Sequence, residues 1–215
     1  MSIFQYISEH LDENGCFIGN VLPDNLFESV PKPLGTDDAA VYTLNVPDNV
    51  DDARILMKKF NAFLEEPLLP NRKDLHEALL GMNLAEYATP FLSAFFPEDM
   101  GENAMDMARD FFYNSPNREP VKFAILLFGL YGMGFIRYEF PTLWRDLLKV
   151  ARCEEFTFTF LYSCRLTDYL PHNEVWELMQ STCGWGKVFA INNCHCRDYG
   201  ERLWLLENGP RVDVE

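Results

Sequence analysis

The sequence predicts an all-α protein, a short right-handed stack of antiparallel helical hairpins behind an irregular acidic N-terminal segment. Three observations predict it. First, hydrophobic blocks recur in pairs: 104–114 with 121–130, 143–153 with 155–166, and 175–183 with 185–194. Second, each pair joins an amphipathic stretch to a denser apolar one, and the second members begin at 121, 155 and 185, which are 34 and 30 residues apart. Such a period belongs to stacked helical repeats, where neighbouring units bury a shared core. Third, 48% of the residues are hydrophobic and 18 are Phe, ample for a core in a 215-residue chain.

The elements follow in order. Ile3, Phe4, Ile7 and Leu11 share one helical face, so a short helix opens the chain and Asn14-Gly15 ends it. Residues 16–47 contain Pro23, Pro31, Pro33 and Gly35 and read as irregular, with 39–46 as the best candidate for an extended strand. The boundary between an N-terminal segment (1–47) and a helical-repeat domain (48–215) falls here. A segment this long is expected to form a subdomain or to lie as a lash across the repeats.

Pro47-Asp48 begins the next helix, with Asp48 as its cap and Asp51 and Asp52 near its positive end. Ile55, Met57, Phe60, Phe63 and Leu64 supply its apolar contacts. Glu65 and Glu66 close it with the charge that the dipole disfavours. Residues 73–80 form a further helix that stops at Gly81. Asn83 and Glu86 form a capping box for another, which Pro90 kinks or restarts and Pro97 ends.

From there the paired blocks take over, with Pro120 and Pro141 as first-turn prolines. The stretch Phe156-Thr157-Phe158-Thr159-Phe160 alternates like a strand. Its place as the second member of a repeated pair assigns it to a helix instead. Residues 201–207 make a last helix, ended by Asn208-Gly209-Pro210. That helix is strongly apolar and lacks the polar cap that closes a solenoid. Either the chain is part of a longer protein, or the helix buries its face in a dimer or against the N-terminal segment.

The paired blocks over roughly residues 70–208 resemble the helical hairpins of HEAT and armadillo α-solenoids. The opening Ser2-Ile3-Phe4-Gln5-Tyr6-Ile7-Ser8-Glu9 is similar to that of a group of bacterial helical-repeat proteins of uncharacterised activity. So are Gly184-Trp185-Gly186-Lys187-Val188-Phe189-Ala190 and Trp204-Leu205-Leu206-Glu207-Asn208-Gly209. The resemblance implies an all-helical cytoplasmic protein, and it implies no site residues.

Charge narrows the partners. The net charge is −15, and residues 1–53 hold ten acids against one base, Lys32. Nucleic acids are bound by neutralising phosphates with Lys and Arg, so no nucleic-acid partner is expected. The acidity serves solubility, or else offers an acidic face to a basic partner. No membrane partner is expected either. The longest uncharged apolar run, residues 123–136, has 14 residues and three glycines, short of the roughly 20 needed for a span. Six cysteines in a chain of this size fit reduced thiols in a cytoplasm better than a disulfide scaffold.

Candidate chemistry is sparse. Cys194-His195-Cys196, with Cys183 before it, has zinc-ligand types without zinc-knuckle spacing. Cys16 or Cys164 with His10, His76, His172 or His195 has no nucleophile signature around it. The doublets Asp37-Asp38, Asp51-Asp52 and Glu154-Glu155 place their carboxylates about 100° apart on a helix, and the last two are explained by helix N-termini. Gly129, Gly132 and Gly134 lack a phosphate-loop context and serve close packing or a helix end near Gly132. Trp144, Trp176, Trp185 and Trp204 recur once per unit and read as packing between hairpins. No catalytic, cofactor-binding or metal-binding residue is assigned.

The expected function is therefore a non-enzymatic module that holds another protein on an extended helical surface. The alternative is a small enzyme or metal-binding protein with its site between the N-terminal segment and the helices. A homo-oligomer or a longer chain, joined through the C-terminal helix, is the further partner expected.

Overall fold

The computed structural model describes residues 1–25, 32–44, 46–95 and 100–209. Among these the chain is all-helical, with isolated bridging between Leu11 and Phe17 in place of strands. Helix α1 (Ile3–Glu9) is capped by Ser2, whose hydroxyl accepts from the Gln5 amide. A turn around Gly15 and a short 3-10 turn, Pro23–Asn25, follow. Helix α2 spans Thr36–Leu44.

Residues 39–46, expected as a strand, thus belong mainly to a helix; Val46 has no regular structure and Asn45 lies outside the described residues. Local propensity misled because the start of this helix is held from a distance: Glu155 accepts the Gly35 N–H and Lys122 donates to Asp38. Pro31 and Pro97, read as punctuation, also lie outside the described residues.

Helix α3 (Val50–Glu65) is capped by Asn49 rather than by Asp48. Its acidic C-terminus is closed by Asn71, whose amide donates to the Ala62 and Glu66 carbonyls. Helix α4 (Leu69–Leu79) starts four residues earlier than expected, with Pro70 in its first turn. Helix α5 (Leu84–Ala94) has Asn83 as N-cap and contains Pro90 without being interrupted.

The paired blocks become helices α6 (Glu102–Asn114) and α7 (Arg118–Tyr131), α9 (Pro141–Ala151) and α10 (Glu154–Arg165), and α11 (His172–Ser181) and α12 (Gly184–Asn193). A short helix not anticipated, α8 (Met133–Glu139), lies between α7 and α9, and α13 (Tyr199–Asn208) comes last. Gly132 adopts φ +100°, a conformation that suits glycine, and there α7 and α8 meet at 89°. No single helix among the described residues is long and apolar enough to cross a membrane.

Within each pair the helices pack together, and α7, α10 and α12 pack successively side by side. Helix α1 lies on α6 and α9, and α2 lies on α5 and α10. Helix α7 is the hub, with every residue from Glu119 to Gly129 buried. Gly129 permits close approach to α10, because a Cβ there would stand 2.7 Å from that of Ser163. Phe123 meets Phe60 of α3 edge-on at 5.6 Å and Phe91 of α5 at the same distance. Each such ring contributes about 1.5–3 kcal/mol on leaving water. Trp144 is buried, while Trp176, Trp185 and Trp204 pack against the core.

Candidate functional site

Helix α7 is apolar nearly all round, yet its first two turns carry Arg118, Glu119 and Lys122. Charges on a fully buried helix must find partners within the protein. Arg118 donates through Nε and Nη2 to the two oxygens of Asp24, each at 3.0 Å, and its backbone N–H donates to the same carboxylate at 2.9 Å. Its Nη1 lies 3.3 Å from Glu155. Lys122 donates to both oxygens of Asp38 at 3.0 and 3.1 Å, and its Nζ lies 2.8 Å from Glu155 and 3.5 Å from Glu119.

Helix N-termini explain why so many carboxylates gather here. Orphan amides in a first turn attract negative charge. Asp24 accepts one from α7, Glu119 accepts the Leu84 N–H at the start of α5, and Glu155 accepts the Gly35 N–H at the start of α2. Gly35 holds φ +74°, and a Cβ there would meet the Glu154 carbonyl at 3.0 Å, so the position suits glycine twice over.

Four carboxylates face two cations, and burial opposes the ionisation of two of them, Glu119 and Asp38. Burial raises Glu119 to about 7, against the pull of Lys122. Burial likewise raises Asp38, which Lys122 only partly offsets. Burial opposes ionisation of Glu155 as well, but Lys122 and Arg118 together hold it below the usual carboxylate range. Burial disfavours the Lys122 ammonium too, yet Asp38, Glu155 and Glu119 keep it well above the usual lysine range.

A cavity of about 350 Å³ adjoins this network, between the N-terminal segment and the first turns of α7 and α10. Asp24, Arg118, Glu119 and Glu155 form its charged wall, and the Lys32–Asp37 ion pair stands at 2.9 Å on its edge. Among the described residues no Ser, Thr, Cys or His lines it. Glu119 could exchange a proton near neutrality, but one oxygen is bound by the Leu84 amide and the other faces Lys122. The arrangement fastens the N-terminal segment to α7 and α10.

Across α10 lies a second feature. Two shallow concavities, about 230 and 250 Å³, share Tyr42, Phe158 and Tyr162. One lies between α10 and α12 and includes Phe189; the other reaches Ala85 and Ala88 of α5 and Val46. Tyr42 stands edge-on to Phe189 at 5.8 Å and to Phe158 at 6.3 Å, and remains 56% exposed. Phe158 stacks on Tyr162, one turn away, at 5.9 Å. Helical geometry divides the alternating Phe-Thr-Phe-Thr-Phe stretch: Phe156 and Phe160 enter the core, while Phe158 turns towards the groove.

Of the other sequence candidates, His172, Cys194 and His195 border one small concavity of about 130 Å³, where burial raises the Cys194 thiol to about 11. Among the described residues no three His, Cys, Asp or Glu side chains are placed to hold a metal. His10 bonds the Tyr6 carbonyl, His76 the Ser115 hydroxyl and His172 Glu201. Burial pushes the Cys153 and Cys164 thiols far above the thiolate range. Glu155, explained from sequence by the dipole of its own helix alone, serves mainly to pair with Lys122 and Arg118. Sequence reasoning missed Asp24, Asp38, Arg118, Glu119 and Lys122 as a group. The signal was the Glu119 and Lys122 pair, three residues apart at the edge of an apolar run. No family model matches the chain, and neither a curated protein nor a solved structure shows significant similarity to it.

Proposed function

We propose that this chain is a non-enzymatic protein-binding module, a short HEAT-like stack of antiparallel hairpins that holds an apolar segment of another protein in the groove across α10. The observation that carries this reading is the groove itself, where Tyr42, Phe158 and Tyr162 present aromatic surface around two adjoining concavities. Aromatic side chains supply large contact area at small entropic cost, which is why they anchor interfaces. The side-by-side packing of α7, α10 and α12 supports a solenoid, and likeness to bacterial helical-repeat proteins is part of the same reading. The cysteine content, read as reduced thiols, supports a cytoplasmic setting.

The test is capture of partners on purified full-length protein beside two variants. Tyr42→Ser alters the groove, and Phe135→Ser alters an exposed ring elsewhere. A protein retained by wild type and by Phe135→Ser, but lost with Tyr42→Ser, supports the reading. Partners that ignore Tyr42→Ser, in protein that stays folded, overturn it.

A second reading, a small enzyme, draws on the charged cavity and on Glu119, raised to about 7 at its wall. It lacks a nucleophile there among the described residues, and the ion pairing leaves the wall groups already engaged. The groove reading is preferred for that reason.

A further inference from the structure

Helix α13 has two faces of opposite character. Its inner face is held by Trp204, which meets Trp176 of α11 at 5.2 Å, and by Leu205. Its outer face exposes Tyr199 at 79%, Leu203 at 43% and Leu206 at 76%. At 100° per residue these three lie within about 60° of one another. Their spacing of four and then three is the pattern of a coiled-coil seam. Arg202 and Glu207, both exposed, flank this stripe roughly 70° to either side. Neither side chain has an ion-pair partner among the described residues.

We infer that two copies of this chain associate through α13, packed parallel about a two-fold axis with Tyr199, Leu203 and Leu206 in the seam. Charge selects both the occupant and the orientation. In a parallel two-fold pair, the Arg202 flank of each helix meets the Glu207 flank of the other. The five-residue offset is the one across which flanking charges pair in parallel coiled coils. An antiparallel pair would set Arg202 beside Arg202 and Glu207 beside Glu207, which repels. A copy of the same helix thus satisfies the apolar stripe and both charges at once. The interface is independent of the groove across α10.

Sedimentation velocity of the full chain, from about 1 to 300 μM, tests this in the range of weak dimers. Wild type is expected to pass from monomer to dimer with concentration. Leu206→Glu should raise the dissociation constant at least ~10-fold, and Arg202→Glu about 3- to 10-fold. The double reversal Arg202→Glu with Glu207→Arg should restore association, because it exchanges the flanks without changing the pairing. Circular dichroism is expected to show all variants folded, since the altered side chains are exposed. A monomer at every concentration overturns the proposal, as does a dimer indifferent to Leu206→Glu. Association unmoved by Arg202→Glu, or not restored by the double reversal, overturns the parallel arrangement.

Discussion

Helix α10 separates two regions built on opposite principles. At its N-terminus Glu155 enters a network in which the charged groups are paired and buried. Along its flank Phe158 and Tyr162 border a groove that Tyr42 only partly covers. The charged region has met its needs internally, and altering it should disturb folding. The aromatic region has apolar surface still facing water, and altering it should disturb binding while the fold persists. Charge therefore marks the scaffold here, and hydrophobicity marks the candidate surface, the reverse of the usual expectation for a soluble protein.

The sharpest way to break the comparison is Lys122→Ala. It leaves Asp38, Glu119 and Glu155 buried without their shared cation, and should cost roughly 3–5 kcal/mol in chemical denaturation. A loss below about 1 kcal/mol would mean that water reaches the network and that its burial is not what holds the N-terminal segment.

Proton linkage comes next in size. Glu119 and Asp38 are raised in the folded chain, so the native state holds protons that the unfolded chain, titrating near pH 4, has already released. Their stabilising contribution is present at low pH and is lost as pH rises through about 6 to 7. Glu155, held low, acts in the other sense and matters only in stronger acid. Stability should thus fall by on the order of 2 kcal/mol between pH 5.5 and 8. Glu119→Gln should flatten the profile while keeping an acceptor for the Leu84 amide. A wild-type curve that rises over this interval would contradict the assignment.

On the groove side the stability effect should be smaller. Tyr42→Ser is expected to change unfolding free energy by about 1 kcal/mol or less, because the ring is more than half exposed. A larger loss would show that Tyr42 is core rather than surface. The smallest effect is expected at Tyr87, whose buried hydroxyl has no hydrogen-bond partner among the described residues. Tyr87→Phe removes that unmet group and should leave stability unchanged or raised by up to about 1 kcal/mol. Measurable destabilisation would show that the hydroxyl finds a partner in solution.

The two regions also differ in how far the sequence reveals them. The paired helices of residues 104–194 follow from their recurring apolar blocks, and all but α10 start or stop beside Pro or Gly. Even Phe156 to Phe160 was assignable once its place in a pair was weighed against its alternation. The junction was not legible, since Asp24 and Asp38 meet α7 over 94 and 84 residues, and Gly35 meets Glu155 over 120. Local reading sees an acid in a loop or in a first turn and assigns it to solvent or to its own helix. Helix α2 was misread for the same reason. Its first turn is settled by Glu155, and Asp38 within it by Lys122, neither of which is near in sequence.

Those separations have a consequence for the order of synthesis. Asp24 must wait 94 residues for Arg118, Asp38 must wait 84 for Lys122, and Gly35 must wait 120 for Glu155. At roughly 5–20 residues per second, the last of these takes about 6–24 s. Until first Lys122 and then Glu155 are made, the start of α2 lacks its buried cation and its amide acceptor, while α3 already has α4 and α5 to pack against. The nascent chain should therefore assemble from its middle outward, with Asp24 and the start of α2 among the last groups to settle.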